Sequence, residues 1–351
     1  MISFSPGPSK VYDQLPVYMK EAYEQGILSA SHRSATFMNL YQETETLFKE
    51  KLHVPEDYKL LFTSSATENW EIIAQSIVEK TSFHIYSGSF GKKWLSFASH
   101  LNPETASIKL DTETEVDVQN LEIGEQFDLI AITQNETSNA TEVRQELIKQ
   151  IGEKYPEKMI AVDTTSSMAG IELDFSLADI WYASVQKCFG LPAGLGILIL
   201  SPKAIEKCER KGESGRYNSL SFMLENAAKY QTHYTPNVFG IYLLNRSLQD
   251  RPEIQETDQV TRERMSKLED TIANSEKLMM LVQNPDTRSK TVMGISGKEE
   301  FIQEIKKAAE KKGMQMGSGY GPLKPTSFRI ANFPAVTDEE FEKLLKFLRE
   351  Y

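Results

Sequence analysis

Residues 159–200 read MIAVDTTSSMAGIELDFSLADIWYASVQKCFGLPAGLGILIL, and their reading decides the fold. The stretch holds three short apolar runs, Met159–Val162, Ile180–Ser184 and Gly196–Leu200. Runs of this length with apolar residues at successive positions are strands buried on both faces, as in a mainly parallel sheet covered by helices. Asp163 closes the first run, and Thr164, Thr165, Ser166 and Ser167 follow it. Lys187 ends the run IWYASVQ and precedes CFGLPAG. In open α/β sheets ligands sit beyond the carboxyl ends of the strands, so Asp163 and Lys187 are expected to face one crevice.

Upstream, strands are expected at Tyr58–Thr63, Ser82–Tyr86 and Asp128–Thr133. Helices are expected at Thr67–Glu79, near Ser89–Ser99 and over Glu142–Lys154. Ser65 and Glu68 have the spacing of a capping box before the first of these helices. Downstream of Leu200 the text turns helical, over Ser219–Leu248 and Asp258–Leu281. It then becomes mixed, with a helix at Glu299–Lys312, a strand at Ser327–Ala331 and a last helix at Asp338–Arg349 capped by Thr337 and Glu340. The β-α alternation followed by a change of texture predicts an α/β large domain over residues 1–250 and a smaller α+β domain over residues 251–351.

Composition narrows the function classes. The chain has 351 residues and a formal net charge of −11, which disfavours a duplex-binding surface but leaves room for a locally basic pocket. Cys188 and Cys208 make no disulfide framework, and the five histidines show no metal-ligand spacing, so no metal is expected. MISFSPGPSK lacks the pattern of a signal peptide, and no apolar run is long enough to span a bilayer. The chain reads as soluble, reduced and cytoplasmic, with no nucleic acid or membrane partner.

The chemistry of the lysine–carboxylate pair is specific. A lysine must lose its proton to form a Schiff base, and burial favours that loss. A carboxylate beside a heterocyclic nitrogen keeps the nitrogen protonated and makes the ring an electron sink. Taken singly, Asp163 also reads as a strand-end cap and Lys187 as a loop lysine. The SSATE segment, Ser64–Glu68, ends a strand and opens a helix whose N-terminus suits a phosphate. GSGYG at residues 317–321 has close-set glycines, but no G-x-G-x-x-G opens a helix after a first strand, which argues against a nicotinamide dehydrogenase.

Seven segments in order carry a resemblance over nearly the whole chain: FSPGPSKV (4–11), SASHRSATF (29–37), the strand–SSAT–helix block, VDTTSS (162–167), SVQKCFGLPAGLG (184–196), HYTPNVFGIY (233–242) and SFRIANF (327–333). Together they resemble the class-V, fold-type-I aminotransferases that use pyridoxal 5'-phosphate (PLP), most of all the phosphoserine aminotransferase branch. The resemblance implies a seven-stranded, mainly parallel sheet between helices, with the first ~15 residues able to pack with the small domain. It implies a Schiff base on Lys187, Asp163 at the pyridine nitrogen, Phe90 stacked on the ring and Thr137 on the phenolic oxygen. The phosphate would be held by Ala66 and Thr67 backbone, Thr165, Gln186 and, from the other subunit of a homodimer, Thr235. Arg329 would grip the substrate α-carboxylate. Retention of Lys187 and Asp163 argues against a non-catalytic protein on this fold, and neither cysteine is placed as a desulfurase nucleophile.

The substrate side departs from that branch. His32 and Arg33 suit a phosphomonoester, yet a Ser-His-Arg segment also occurs in alanine– and serine–glyoxylate aminotransferases. Thr67 and Glu68 stand where bacterial phosphoserine aminotransferases usually carry an arginine. Only Lys324 is basic in SGYGPLKP (318–325), where they usually carry a basic pair, and GYGPLK resembles the glyoxylate-linked enzymes. Two activities are therefore expected from the resemblance: transamination between phosphoserine and 2-oxoglutarate in L-serine biosynthesis, or alternatively a glyoxylate-type exchange on alanine or serine.

Overall fold

The computed structural model describes residues 1–212 and 215–351. In chain order the main elements are β1 (Ile2–Phe4), α1 (Leu15–Glu24), α2 (Ala35–Leu52), β2 (Lys59–Thr63), α3 (Ala66–Ser76), β3 (Thr81–Tyr86), α4 (Ser89–Leu101), β4 (Ala106–Lys109) and β5 (Phe127–Thr133). A two-stranded hairpin, β6 (Asn135–Glu136) and β7 (Thr141–Glu142), leads to α5 (Gln145–Lys154), β8 (Met159–Asp163), β9 (Ile180–Ser184) and β10 (Gly196–Leu200). Then come α6 (Pro202–Lys211), α7 (Leu220–Ala227), α8 (Val238–Asp250), α9 (Ile254–Ala273), β11 (Met279–Met280), β12 (Val292–Ser296), α10 (Glu299–Lys311), β13 (Met314–Ser318), β14 (Ser327–Ala331) and α11 (Asp338–Arg349).

Seven strands form the large sheet in the order β2-β10-β9-β8-β5-β3-β4. All pairings are parallel except those of β10, which runs antiparallel to both neighbours. Every residue of β3, β8, β9 and β10 is buried. That is why β8, β9 and β10 read as nearly continuous apolar runs instead of alternating ones, whereas β3 buries Thr81, Ser82 and His84 among its apolar residues. Register places Asp163 beside Thr133 on one side and Tyr182 on the other, the first two at the carboxyl ends of their strands and Tyr182 two residues before the end of β9.

A five-stranded sheet, β1-β13-β14-β12-β11, has its own core around Phe4, Leu268, Phe328, Ile330, Phe341 and Leu344. The first residues of the chain join this sheet, because β1 pairs in parallel with β13. Among the described residues no helix is long and apolar enough to cross a membrane. The architecture is α/β, a large mixed sheet with a smaller, mostly C-terminal sheet beside it.

The structure corrects several local expectations. Ser219–Leu248 is two helices, not one. Tyr230 takes a positive φ of 53°, Pro236 cannot continue a helical ladder, and Asn237 caps α8 by accepting from the Gly240 N–H. The helix expected over Asp258–Leu281 starts earlier and ends at Ala273, where the Ser275 hydroxyl oxygen accepts from the Lys277 and Leu278 N–H groups and turns the chain into β11. β4 escaped the pattern because it is a four-residue edge strand with three exposed residues. Ser65 does cap α3, accepting from the Glu68 N–H at 3.2 Å, but the reciprocal half of the box is absent. The Glu68 carboxylate instead accepts from both the N–H and the hydroxyl of Ser64, each at 2.7 Å. The full box forms at Thr337 and Glu340.

Gly196 sets the approach of β10 to the turn that opens α3. A Cβ there would lie 2.3 Å from Thr63 Oγ1 and 2.6 Å from the Ser65 carbonyl carbon. Gly196→Ala must therefore displace backbone, and it is expected to cost about 1–3 kcal/mol, read as a lower urea midpoint at unchanged slope.

Candidate active site

A cleft of about 620 Å³ opens over the carboxyl ends of β8 and β9, with the small sheet forming its far wall. Lys187 reaches into it from the turn after β9. Its Nζ donates to Thr137 Oγ1 at 2.7 Å, and the residue is buried. Burial pushes the ammonium pKa below the ordinary lysine value; Asp163 and Glu136 oppose this more weakly. The turn is clamped by the N-terminal segment, where the Ser9 N–H and hydroxyl both donate to the Gln186 carbonyl, at 3.1 and 2.9 Å. Gly7, at φ +150°, lies so close that a Cβ would sit 3.2 Å from Lys187 Cε.

Asp163 is buried, and burial raises its carboxyl pKa; hydrogen bonds from Thr165 pull the other way. Those bonds come from the Thr165 N–H at 2.9 Å and its hydroxyl at 2.5 Å, both to Oδ1. Tyr182, the register neighbour of Asp163, is also buried, and its phenol accepts from the Trp70 indole N–H at 2.8 Å. The indole has only a donor to offer, so it fixes the phenol oxygen as acceptor beside the carboxylate.

Phe90 lies on the first turn of α4, its ring centroid 5.1 Å from Lys187 Nζ. Gly88, the N-cap of that helix, has no side chain to cap it. The carboxylate of buried Glu136 takes that role from the β6–β7 hairpin. Its Oε2 accepts from the Phe90 and Gly91 N–H groups at 2.9 and 3.0 Å, and its Oε1 accepts from the Ser138 N–H and hydroxyl at 3.0 and 2.6 Å. A carboxylate at a helix N-terminus is favoured by the dipole as well as by these donors.

Arg329 enters from β14. Its Nε donates to the Ser318 carbonyl at 2.9 Å and Nη1 to the Thr137 carbonyl at 2.7 Å, which fixes the plane of the guanidinium in the cleft wall. Burial lowers its pKa. The N-terminus of α3 forms the opposite end of the cleft, where Ala66 and Thr67 belong to a first turn whose amides have no acceptor within the helix. Two buried side-chain oxygens on the cleft wall, Gln186 Oε1 and Asn135 Oδ1, lack a hydrogen-bond partner in the protein.

Ala66, Thr67, Phe90, Thr137, Asp163, Thr165, Gln186, Lys187 and Arg329 thus all line one cleft. His32, Arg33, Thr235 and Lys324 do not. His32 is half-buried, with its pKa lowered first by burial and then by Arg33; Arg33, Thr235 and Lys324 are exposed. Residues the motifs did not single out are Glu136, Tyr182, Trp70, Lys93 and Tyr320. Strand periodicity puts Tyr182 on the face shared with Ser184, a signal available in sequence. The contact between Glu136 and Phe90 spans 46 positions and has no local trace.

This combination fits a planar, phosphorylated carbonyl cofactor: a buried amine, a buried carboxylate, an aromatic face, and a helix N-terminus whose first-turn amides have no acceptor within the helix. The class-V aminotransferase family matches residues 3–332, so the chain belongs to the class-V aminotransferases, PLP-dependent transaminases of fold type I. Within that class it is close to the phosphoserine aminotransferases. The protein of that name from Rhodococcus opacus (strain B4) is 27% identical over 354 residues, covering 98% of this chain and 93% of the relative. The crystal structure of a phosphoserine aminotransferase from Cytophaga hutchinsonii superposes with a TM-score of 0.95 at 36% identity, covering 99% of this chain and 98% of that one. An alanine–glyoxylate aminotransferase from Nostoc sp. shares the fold, with a TM-score of 0.84 at 18% identity over 99% of this chain and 94% of that one.

Two outcomes are expected. Replacing Glu136 with Ala leaves the Phe90 and Gly91 N–H groups without their acceptor and costs about 2–4 kcal/mol, measured by urea denaturation. Because burial favours the neutral amine, Lys187 protonates only as pH falls through a pKa lying below the ordinary 10.5. Reductive methylation followed by peptide mass spectrometry is expected to give Lys187 a labelling midpoint below that of the exposed lysines.

Proposed function

We propose that this transaminase exchanges an amino group between phosphoserine and 2-oxoglutarate, the reaction that serves L-serine biosynthesis. The observation that carries the transaminase half is the Lys187 amine on Thr137, buried one strand away from Asp163. The substrate half is supported by the similarity to the Cytophaga hutchinsonii phosphoserine aminotransferase across 99% of the chain.

In this reading Lys187 would hold PLP, Asp163 would serve its ring nitrogen and Phe90 its ring. Thr137 would serve its phenolic oxygen, while Ala66, Thr67, Gln186 and Thr165 would hold its phosphate. When bound, the cofactor supplies an electron sink that makes the substrate Cα proton acidic. Lys187, freed when the incoming amine displaces it, would take that proton and return it, acting as base and acid by turns; burial lowers its pKa and so favours the free amine that accepts the proton. Arg329 binds the α-carboxylate and fixes which Cα bond faces the lysine. The Thr165 hydroxyl, already donated to Asp163, must divide itself between that carboxylate and the phosphate.

His32, Arg33 and Thr235 lie away from the cleft of their own chain, which supports a homodimer in which they serve the cleft of the partner subunit. Lys324, exposed and off the cleft, is the weakest of the substrate-binding candidates. Its position favours the second reading, a glyoxylate-type exchange on alanine or serine.

Titration of the cofactor-loaded protein, followed by visible absorbance, separates the two. O-phospho-L-serine is expected to shift the band at far lower concentration than L-alanine or L-serine, and the opposite order would move the assignment to the glyoxylate type. Lys187→Ala is expected to abolish turnover and retain the far-ultraviolet circular dichroism; substantial residual turnover would reject the role of the lysine.

A further inference from the structure

The GSGYG segment, Gly317–Gly321, serves a structural end that the family motifs do not use. A Cβ on Gly317 would meet Pro6 Cδ at 2.3 Å, and one on Gly319 would meet Ser327 Oγ at 2.2 Å and the Leu323 carbonyl oxygen at 2.5 Å. Gly321 has a φ of +55°. The glycines therefore allow a tight turn that presents Tyr320 to the cleft. The Tyr320 ring packs 5.6 Å from the Phe90 ring, joining the small sheet to the first turn of α4.

Basic side chains border this aromatic pair. Lys187 Nζ is 5.1 Å from the Phe90 centroid and Arg329 Cζ is 5.5 Å from that of Tyr320. Lys93, one turn along α4 from Phe90, lies 5.4 Å from the Phe90 centroid and 5.9 Å from that of Tyr320, and its Nζ donates to the Tyr320 hydroxyl at 3.2 Å. Lys93, exposed at the rim, and Arg329 line the same cleft as the buried Lys187 amine. Among the described residues neither Lys93 nor Arg329 forms an ion pair with a carboxylate. In a chain of net charge −11, unpaired cations gathered at one cleft mark a site for anions.

We infer that Lys93 and Tyr320 form a subsite for the second anionic group of an acidic amino acid or 2-oxo acid, with Arg329 taking the α-carboxylate. The inference rests on the transaminase reading above and names the substrate class at that cleft: amino acids with a carboxylate or phosphate a few bonds from Cα. A neutral phenol is a weak acceptor for an ammonium, so an arriving anion replaces it in a charge-assisted bond. The substrate thereby exchanges the contact between α4 and the small sheet for one through itself. The subsite also supplies the distal cation that Lys324 does not bring to the cleft.

The test compares wild type, Lys93→Met and Lys93→Arg, all cofactor-loaded, by absorbance titration and by steady-state KM and kcat with O-phospho-L-serine, L-glutamate and L-alanine. Lys93→Met is expected to cut the preference for the acidic amino acids over alanine by ~10–100-fold, the loss of one charge-assisted contact, mainly through KM; Lys93→Arg is expected to restore most of it. A loss confined to glutamate assigns the subsite to a carboxylate, and one confined to phosphoserine assigns it to a phosphate. An unchanged preference in Lys93→Met overturns the subsite while leaving the transaminase reading intact. A wild type that responds to alanine and to neither acidic amino acid overturns the subsite and the phosphoserine reading together. Absence of any cofactor band defeats the Lys187 reading first.

Discussion

The structure turns on the removal of one lysine from water. Lys187 sits at the carboxyl end of β9, its amine held by Thr137 and its stem pressed by Gly7. Desolvation penalises the ammonium more than the free amine, so the environment that makes the lysine costly to bury is also what makes it nucleophilic. Asp163 experiences the same low dielectric with the opposite charge, and the two Thr165 donors hold it against the drift towards a neutral acid. The parallel register of β5, β8 and β9 keeps the two groups in one crevice: β8 ends at Asp163, and β9 runs two residues past its partner Tyr182 before the turn that carries Lys187.

Much of the surrounding polar structure serves to hold that crevice still. Glu136 is a buried carboxylate with no basic partner among the described residues, and it is tolerated because four N–H and hydroxyl donors satisfy it. What it secures is the first turn of α4, and with it Phe90 over the lysine. Trp70 and Tyr182 act similarly on the other side of Asp163. The N-terminal segment closes the assembly: β1 belongs to the small sheet, and a few residues later Ser9 is bonded to the turn that carries Lys187. The small sheet and the turn that carries Lys187 are thus tied by the first ten residues, and Arg329 reaches from β14 to the Thr137 carbonyl. An acidic chain can in this way gather basic side chains at one cleft, Lys187 from the turn after β9, Lys93 from α4 and Arg329 from β14.

Six strands of the large sheet and the helix opening at Ser65 were legible in the amino-acid sequence, because each depends on local pattern: apolar runs, polar residues at strand ends, a cap before a periodic stretch; for Asp163 and Lys187 that pattern left a strand-end cap and a loop lysine open, and the family resemblance decided between the readings. Uninterrupted burial of β8, β9 and β10 follows from the same pattern. The break between α7 and α8 was hidden because its cause, Pro236 together with the positive φ of Tyr230, interrupts a composition that remains helical on either side. The placement of Arg329 in the cleft was reached only through family resemblance. Its own local sequence describes an arginine on a five-residue strand and nothing more.

The sequence by itself determined which residues bear chemistry and which segments become strands, since both are set by side-chain type and by contacts between near neighbours. Tertiary structure alone decided which of those residues meet. It brought Glu136 to α4 across 46 positions and Tyr320 to Lys93 across 227, and it left His32, Arg33, Thr235 and Lys324 outside the cleft of their own chain. Such encounters depend on sheet order and on how one sheet docks on another, geometry that is fixed by the whole core and leaves no mark at any single position.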